Sequence, residues 1–164
     1  MPIDTKSVTD RRPLRFNSLA DLRADLSTLE AAHRAGTLRT SGNWTPGQNL
    51  AHLANWVSYP YDGYPQGLGK PPILIKFFLK FMKNKFLYGK LPVGVKIPNV
   101  PGGTAGADVL PFDLALIRFR QQLDRLDTAP PSIPNPIFGH LTHDEWKTLH
   151  CRHAELHLSF LHPK

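Results

Sequence analysis

Histidines are the residues of this chain whose type and spacing are best suited to chemistry. Three of the eight lie close together near the carboxyl end: His150, His153 and His157. Residues four apart project from one face of a helix, so His153 and His157 can reach a single ion. His150 and His153, three apart, can do the same. Because neutral imidazole binds zinc, nickel, copper and iron, the pattern predicts a divalent-metal site on a helix.

A third imidazole has to come from elsewhere in the chain. His52 is the natural candidate, because it lies midway along an apolar stretch from Gln48 to Trp56 that has a helical pattern. Imidazoles buried without partners are costly in a core, whereas a bound metal satisfies them. The alternative is that these are ordinary histidines with backbone hydrogen-bond partners. The residues alone leave both interpretations open.

Four amphipathic segments are available to position these histidines. Three begin with a capping box, in which a hydroxyl residue precedes an acid or amide by three positions: Ser18 with Asp21, Thr45 with Gln48, and Thr142 with Glu145. Gly36 is expected to end the first segment, and Pro60 to Gly63 the second. Apolar residues recur at spacings of three and four in the first, third and last segments: Leu19, Leu22, Leu26 and Leu29; Phe112, Leu116, Phe119, Leu123 and Leu126; Trp146, Leu149, His153, Leu156 and Phe160. With almost no strand signal, the sequence predicts an all-α bundle of four helices.

A basic segment lies between the second and third of these helices. Ile73 to Leu87 alternates apolar residues with Lys76, Lys80 and Lys83 at helical spacing. This pattern predicts an extra basic amphipathic helix. Such a helix most often covers a core or forms a subunit contact, and a homodimer is one expected result. An interfacial membrane helix is the less favoured alternative.

The connection that follows, Leu91 to Val109, has no helical or strand period. Its glycine-rich part, Pro101 to Gly106, lacks the Gly-Lys-Ser/Thr ending of a phosphate-binding loop and follows no buried strand. Nucleotide binding is therefore not predicted there. A loop of this length inside a small domain is typical of a crossover connection or a functional loop.

Composition narrows the class of protein. The 164 residues suit one domain, and the net charge of +7 comes without a nucleic-acid-binding motif, so no specific nucleic-acid partner is predicted. The single cysteine, Cys151, excludes an internal disulfide and is expected to be a small buried hydrophobe. There is no signal-peptide pattern and no run of about 20 apolar residues. A cytoplasmic location is the resulting expectation.

Two stretches resemble a known superfamily. The run from Gly42 to Leu53 resembles the Trp-Ser/Thr-Pro-Gly…His opening of the second helix in DinB/YfiT-like proteins. Phe138 to Trp146, followed by the three late histidines, resembles the end of the DUF1569 branch of that superfamily. The similarity in element order covers about residues 15–162. It implies one DinB-like four-helix-bundle domain over residues 1–164, with a long crossover and a zinc or nickel site formed by His52, His153 and His157.

The resemblance also implies chemistry. Three neutral imidazoles leave the ion with its full charge and an open position, which is typical of catalytic sites. Related proteins include thiol-dependent S-transferases, and many are described as metal-dependent hydrolases. The expected activity is one of these two reactions on a small-molecule substrate, with a low-molecular-weight thiol as partner in the first. Leu156 stands where a second histidine is common and Asn55 where an acid is common, so the support around the ligands is reduced.

Proton transfer or substrate placement needs a further group. His150, one turn before His153, is the predicted auxiliary catalytic residue, whereas Glu155 is expected to point away from the ligand face. Two other classes of function remain as alternatives. One is a non-catalytic stress-response or interaction module in which the metal is structural or absent. The other is a basic protein that docks on an acidic partner or a membrane surface through Pro71 to Lys90.

Overall fold

The architecture is that of a computed structural model, which describes residues 3–66, 68, 81–97, 100 and 103–164. Over these residues the protein is mostly helical, and the all-α prediction is confirmed. The elements run in the order 3-10 helix Thr5–Ser7, α1 Leu19–Arg34, β1 Arg39–Thr40, α2 Pro46–Asp62, α3 Lys83–Tyr88, α4 Phe112–Thr128, α5 His143–Leu158 and β2 Leu161–His162. No helix in the described ranges is long and apolar enough to cross a bilayer.

The helices α1, α2 and α5 begin at the predicted capping boxes. At each, the hydroxyl oxygen accepts a hydrogen bond from the backbone N–H three residues later, and the acid or amide side chain accepts one from the cap N–H. These bonds satisfy N–H groups that have no partner within a helix. Pro60 does not end α2, which continues to Asp62 and stops at Gly63, where φ is 111°. A proline in the last turn removes only one helical hydrogen bond, so the helix tolerates it there.

The four long helices α1, α2, α4 and α5 share one hydrophobic core. Helix α2 packs most extensively against α4, while α5 contacts α1, α2 and α4. The predicted apolar stripes of α1 and α4 are buried as expected, with fully buried members Leu22, Leu26, Leu29, Leu123 and Leu126. Each such side chain contributes on the order of 2 kcal/mol by leaving water. This core holds α2 and α5 side by side.

The buried face of α5 is turned slightly from the predicted one. The residues that face the core are Trp146, His150, Cys151, Ala154 and Leu158. Leu149, His153 and Leu156, which were expected on the inward stripe, are only partly buried. Small side chains at 151 and 154 allow α5 to lie close to its neighbours. As a result, His153 and His157 lie at the edge of the core and not within it.

The connection from α2 to α4 passes over α5 before it returns. Helix α3 packs on α5 through fully buried Leu87 and an ion pair of 2.6 Å between Lys83 and Glu145. The chain then comes back along α2, where residues 103–108 lie against it. Most of the predicted basic helix, including Lys76 and Lys80, falls outside the described residues, and α3 covers the carboxyl end of the segment for which that helix was predicted.

A short antiparallel ribbon joins the two ends of the helical core. Arg39 of β1 pairs with His162 of β2, and Thr40 pairs with Leu161. Just beyond the ribbon, the backbone N–H of Ser41 donates to the carbonyl of Phe160 at 2.9 Å. The loop that carries Trp44 is therefore fastened to the carboxyl end of α5, next to the last histidine of the predicted site.

Candidate metal centre

Three imidazoles from two helices meet at one edge of the core. His52 comes from the middle of α2, and His153 and His157 come from successive turns of α5. One ring nitrogen from each lies within 4.8 Å of the others. The Nε2 atoms of His52 and His153 are 3.2 Å apart, and the ring of His157 is centred 4.5 Å from that of His52. The structure thus brings together the three residues that the sequence singled out.

The geometry of this group suits a metal ion. Two nitrogens bound at about 2.0–2.1 Å in a tetrahedral site lie about 3.3 Å apart, close to the Nε2 separation of 3.2 Å between His52 and His153. The limit of 4.8 Å over all three rings requires only a small rotation of an imidazole as an ion draws them together. A separation of 3.2 Å also fits a hydrogen bond between the imidazoles of His52 and His153. That explanation, however, gives His157 no role. Within the described ranges no other histidine, cysteine or carboxylate joins the group, so a position stays open.

The ring of His52 is oriented by a backbone carbonyl of the crossover loop. Its Nδ1–H donates to the carbonyl oxygen of Ala105 at 3.0 Å, so the lone pair on Nε2 is directed towards the other two histidines. The same oxygen accepts a hydrogen bond of 3.2 Å from Trp56 Nε1. A partner of this kind fixes the tautomer and the direction of a ligating imidazole. Sequence reasoning missed it, because a carbonyl group has no residue-type signal.

Asn55 secures that loop. Its side-chain Nδ2 donates to the carbonyl of Gly106 at 2.8 Å and to Asp108 Oδ2 at 3.0 Å. Gly106 has φ of 75°, and a Cβ atom there would lie 2.4 Å from Tyr59 Oη. Asn55, which stands where the resemblance leads one to expect an acid, therefore contacts the loop and not the histidines. Its role is to hold the loop that supplies the carbonyl partner of His52.

The substitution Gly106→Ala is expected to lower metal affinity about tenfold. The added Cβ collides with Tyr59 and adopts a left-handed backbone conformation that costs about 1–3 kcal/mol. The loop must then shift, and His52 loses the carbonyl partner at Ala105, a kind of loss that typically costs 10–100-fold in affinity. Competition with a chromogenic zinc chelator measures the change. Gly36→Ala, at a positive φ of 69° in open space remote from the site, is the matched control. Equal affinities for the two variants would contradict this account.

An open cleft of about 1540 Å³ reaches the group of histidines from outside. Its walls come from the amino-terminal segment, the loop before α2, the crossover loop and the end of α5. Of the three imidazoles, His157 lines the cleft, and the ring of Trp44 stacks on it with centroids 5.3 Å apart and planes at 8°. Asn49, Leu156 and Phe160 complete the wall near it. A small molecule in the cleft would meet the site at His157.

A family model described as a protein of unknown function, DUF1569, matches residues 8–164. The chain belongs to the DUF1569 family. This confirms the DUF1569 part of the resemblance, and the match includes the helices that carry all three histidines. Searches among curated proteins and among solved structures found no match to this DUF1569 protein.

Burial keeps the imidazoles of the DUF1569 protein neutral. Burial lowers the pKa of His52 to about 4, although the hydrogen bond to Ala105 opposes the shift. Burial, followed by the proximity of His52, also holds the pKa of His157 well below its ordinary value. The pKa of His153 is lowered in the same way, by burial and then by the neighbouring histidines. A metal ligand must be an unprotonated imidazole, so these rings are ready to bind at neutral pH.

The other chemically interesting residues of α5 lie off the ligand group in this DUF1569 protein. His150 is buried against the ring of Trp146, and its Nε2 has no hydrogen-bond partner among the described residues. Glu155 points away from the histidines, as expected, and accepts a hydrogen bond from the backbone of Phe16 at 2.5 Å. Cys151 is buried in the core as expected, and burial raises the pKa of its thiol to about 11. A thiol of this kind is a poor nucleophile.

Proposed function

We propose that this protein is a DinB-like four-helix bundle that binds a divalent ion through His52, His153 and His157 and uses it for catalysis on a small molecule. The observation that carries the proposal is the meeting of three neutral ring nitrogens, within 4.8 Å of one another, at the end of an open cleft. Zinc and nickel both suit three imidazoles. The long crossover and the four long helices around one core support the DinB-like arrangement.

Thiol S-transfer is the reaction that fits the surroundings best. A divalent ion held by three neutral ligands can keep a thiol ionised near pH 7. The ion could also ionise water for hydrolysis, but two carboxylates that could assist proton transfer are engaged elsewhere: Glu155 with Phe16 and Arg152, and Asp108 with Asn55. In the proposed reaction the thiol sulfur forms a bond to an electrophilic carbon. The leaving group departs with the electrons of the broken bond, and the thiol proton goes to solvent.

His150 is proposed as an auxiliary residue that acts through His153. It lies one turn before His153 on α5, and it is absent from the residues that line the cleft. Its Nε2 has no hydrogen-bond partner among the described residues, and its proximity contributes to the lowered pKa of His153. Its role is therefore to position His153 and not to contact substrate.

Metal analysis of protein purified without a histidine tag tests the proposal. About one ion per chain is expected in the native protein and in the control His140→Ala, which removes an exposed imidazole. The double variant His153→Ala/His157→Ala is expected to retain less than about a tenth of that, because a single imidazole cannot hold the ion. Cobalt-loaded native protein is expected to show a sulfur-to-cobalt absorption band when 2-mercaptoethanol is added.

The outcomes separate catalysis from the alternatives. Equal metal content in the double variant and the control would overturn the site. Bound metal without a thiol band would favour the non-catalytic module, in which the 3.2 Å pair of His52 and His153 is structural. In the same assay His150→Phe is expected to keep the ion and to shift the cobalt spectrum. An unchanged spectrum would remove His150 from the proposal.

A further inference from the structure

Two lysines stand on the wall of the cleft that leads to His157. Lys6 lies in the 3-10 helix of the amino-terminal segment, and Lys96 belongs to the crossover loop. Both are exposed, and neither forms an ion pair within the described parts of the chain. Most other cations near the site have partners, such as Arg118 with Asp108 and Arg39 with Asp10. The two ammonium groups therefore add positive charge to the cleft that no ion pair among the described residues holds.

The stems of both lysines lie against glycines. A Cβ atom on Gly94 would lie 2.8 Å from Lys6 Cγ, and one on Gly103 would lie 2.9 Å from Lys96 Cγ. Both glycines have positive φ, 69° and 76°, which a residue with a side chain rarely adopts. Each lysine thus lies along a surface that only glycine provides. Packing of the stem reduces the conformational entropy that the ammonium group loses when it binds a ligand.

The carboxylates of the same cleft are already used by the protein. Asp4 accepts a hydrogen bond from the backbone N–H of Lys6 at 3.0 Å, which caps the short 3-10 helix. Asp108 receives Asn55 Nδ2 at 3.0 Å and lies 3.4 Å from Arg118. Neither is within ion-pair distance of a cleft lysine. With Asp108 paired to Arg118, the two lysines outnumber Asp4, the other carboxylate of the cleft lining.

We propose that the small molecule taken by this cleft carries an acidic group, a carboxylate, phosphate or sulfonate, which Lys6 and Lys96 bind while its reacting end lies at His157. This inference rests on the proposed function only in placing the reacting end of the molecule at the histidines. The recognition of the acid depends on the two lysines and needs no metal. A compact anion between two ammonium groups forms charge-assisted hydrogen bonds, the stronger class of polar contact. In the proposed S-transfer reaction, the molecule that carries this acidic group is the thiol substrate.

The first experiment needs no metal ion. Quenching of tryptophan fluorescence by iodide is compared with quenching by neutral acrylamide, because Trp44 lines the cleft and iodide accumulates where the potential is positive. In Lys6→Gln/Lys96→Gln the ratio of iodide to acrylamide quenching constants is expected to fall about twofold at low salt. The control Lys85→Gln/Lys164→Gln removes the same charge from positions outside the cleft and should leave the ratio unchanged.

The second experiment uses cobalt-loaded protein and two thiols of similar size. The sulfur-to-cobalt band gives the apparent affinity of acidic 3-mercaptopropionate relative to neutral 2-mercaptoethanol. This relative affinity is expected to fall about fivefold in Lys6→Gln/Lys96→Gln and to stay constant in the control, since each exposed charge pair contributes a modest amount. Comparing each variant with the native protein cancels the intrinsic difference between the thiols.

The two experiments fail in different ways. Absence of the cobalt band in the native protein counts against the proposed function, and the iodide ratio then decides whether the lysines attract anions. An unchanged iodide ratio overturns the inference whatever the cobalt result. A lower iodide ratio with an unchanged thiol preference also overturns it, because the lysines would then attract anions without selecting the substrate.

Discussion

Replacement of Glu155 by alanine is expected to destabilise the protein by about 3–5 kcal/mol, measured by urea denaturation at pH 7. Glu155 lies 2.9 Å from the guanidinium of Arg152, which is only 3% exposed, and accepts a hydrogen bond from Phe16 N–H. Arg152 in turn donates to the carbonyl of Phe16. Without the carboxylate, a buried positive charge and a backbone N–H both lose their partners. The segment before α1 thus loses one of its contacts with α5.

A double variant distinguishes this cause from simple loss of packing. Arg152→Met/Glu155→Leu removes both charges and roughly keeps the volume, so it is expected to be about 1–2 kcal/mol more stable than Glu155→Ala, although the N–H and the carbonyl of Phe16 still lose their partners. Asp124→Ala, which removes the exposed partner of Arg23, is the matched control and should change stability by less than about 1 kcal/mol. If Glu155→Ala were no more harmful than Asp124→Ala, the buried pair would not have the role assigned to it.

Mild acid is expected to unfold the metal-free protein through its buried imidazoles. Burial lowers the pKa of His52 and of His150 to about 4, against 6.5 for a free histidine. Well above pH 6.5 the two imidazoles are neutral in both the folded and the unfolded protein, so they do not make the stability depend on pH. As the pH falls below 6.5, the unfolded chain takes up protons that the folded protein excludes, so the free energy of unfolding decreases. Each residue should remove about 2 kcal/mol by pH 5.

Chemical denaturation in a chelator between pH 7.5 and 5 measures this loss, in a window where carboxylates remain ionised. In His150→Phe the decrease should be smaller by about 2 kcal/mol, because one excluded proton is gone. His140→Ala, which removes an exposed histidine, should reproduce the native profile. Bound zinc should raise stability at neutral pH and steepen the decline, since protons compete for its ligands. A native profile that is flat from pH 7.5 to 5 would contradict the burial of these rings.

Helix positions and the three histidines were predictable because they depend on local chemistry. The capping boxes at Ser18, Thr45 and Thr142 satisfy helix ends with side chains a few residues away, so they are visible in the sequence. Helical spacing narrowed the ligands on the last helix to His150, His153 and His157, and the resemblance selected His153 and His157 from these. His52 could be added because it is a polar residue in the middle of an apolar helix.

The remaining parts of the site depend on long-range contacts that leave little trace in a sequence. The carbonyl of Ala105 reaches His52 across 53 positions, and from the sequence the glycine-rich loop that carries it was expected only to be a crossover connection or a functional loop. The turn of the buried face of α5 depends on how close its neighbours lie, which Cys151 and Ala154 permit. Glu155 was expected to point away from the ligands, yet its partner at Phe16 is a backbone group without a sequence signal.

The contact between His52 and the Ala105 carbonyl has a consequence for the divergence of this sequence. An imidazole that is oriented by a carboxylate loses its partner through one nucleotide change, but a backbone carbonyl is present whatever amino acid is encoded. A change of side chain at position 105 therefore does not by itself remove the group that orients His52. The constraint moves to its neighbour, where the positive φ of Gly106 and the nearby hydroxyl of Tyr59 admit no side chain. At this edge of the site, the residue most sensitive to substitution is thus Gly106, which has no functional group.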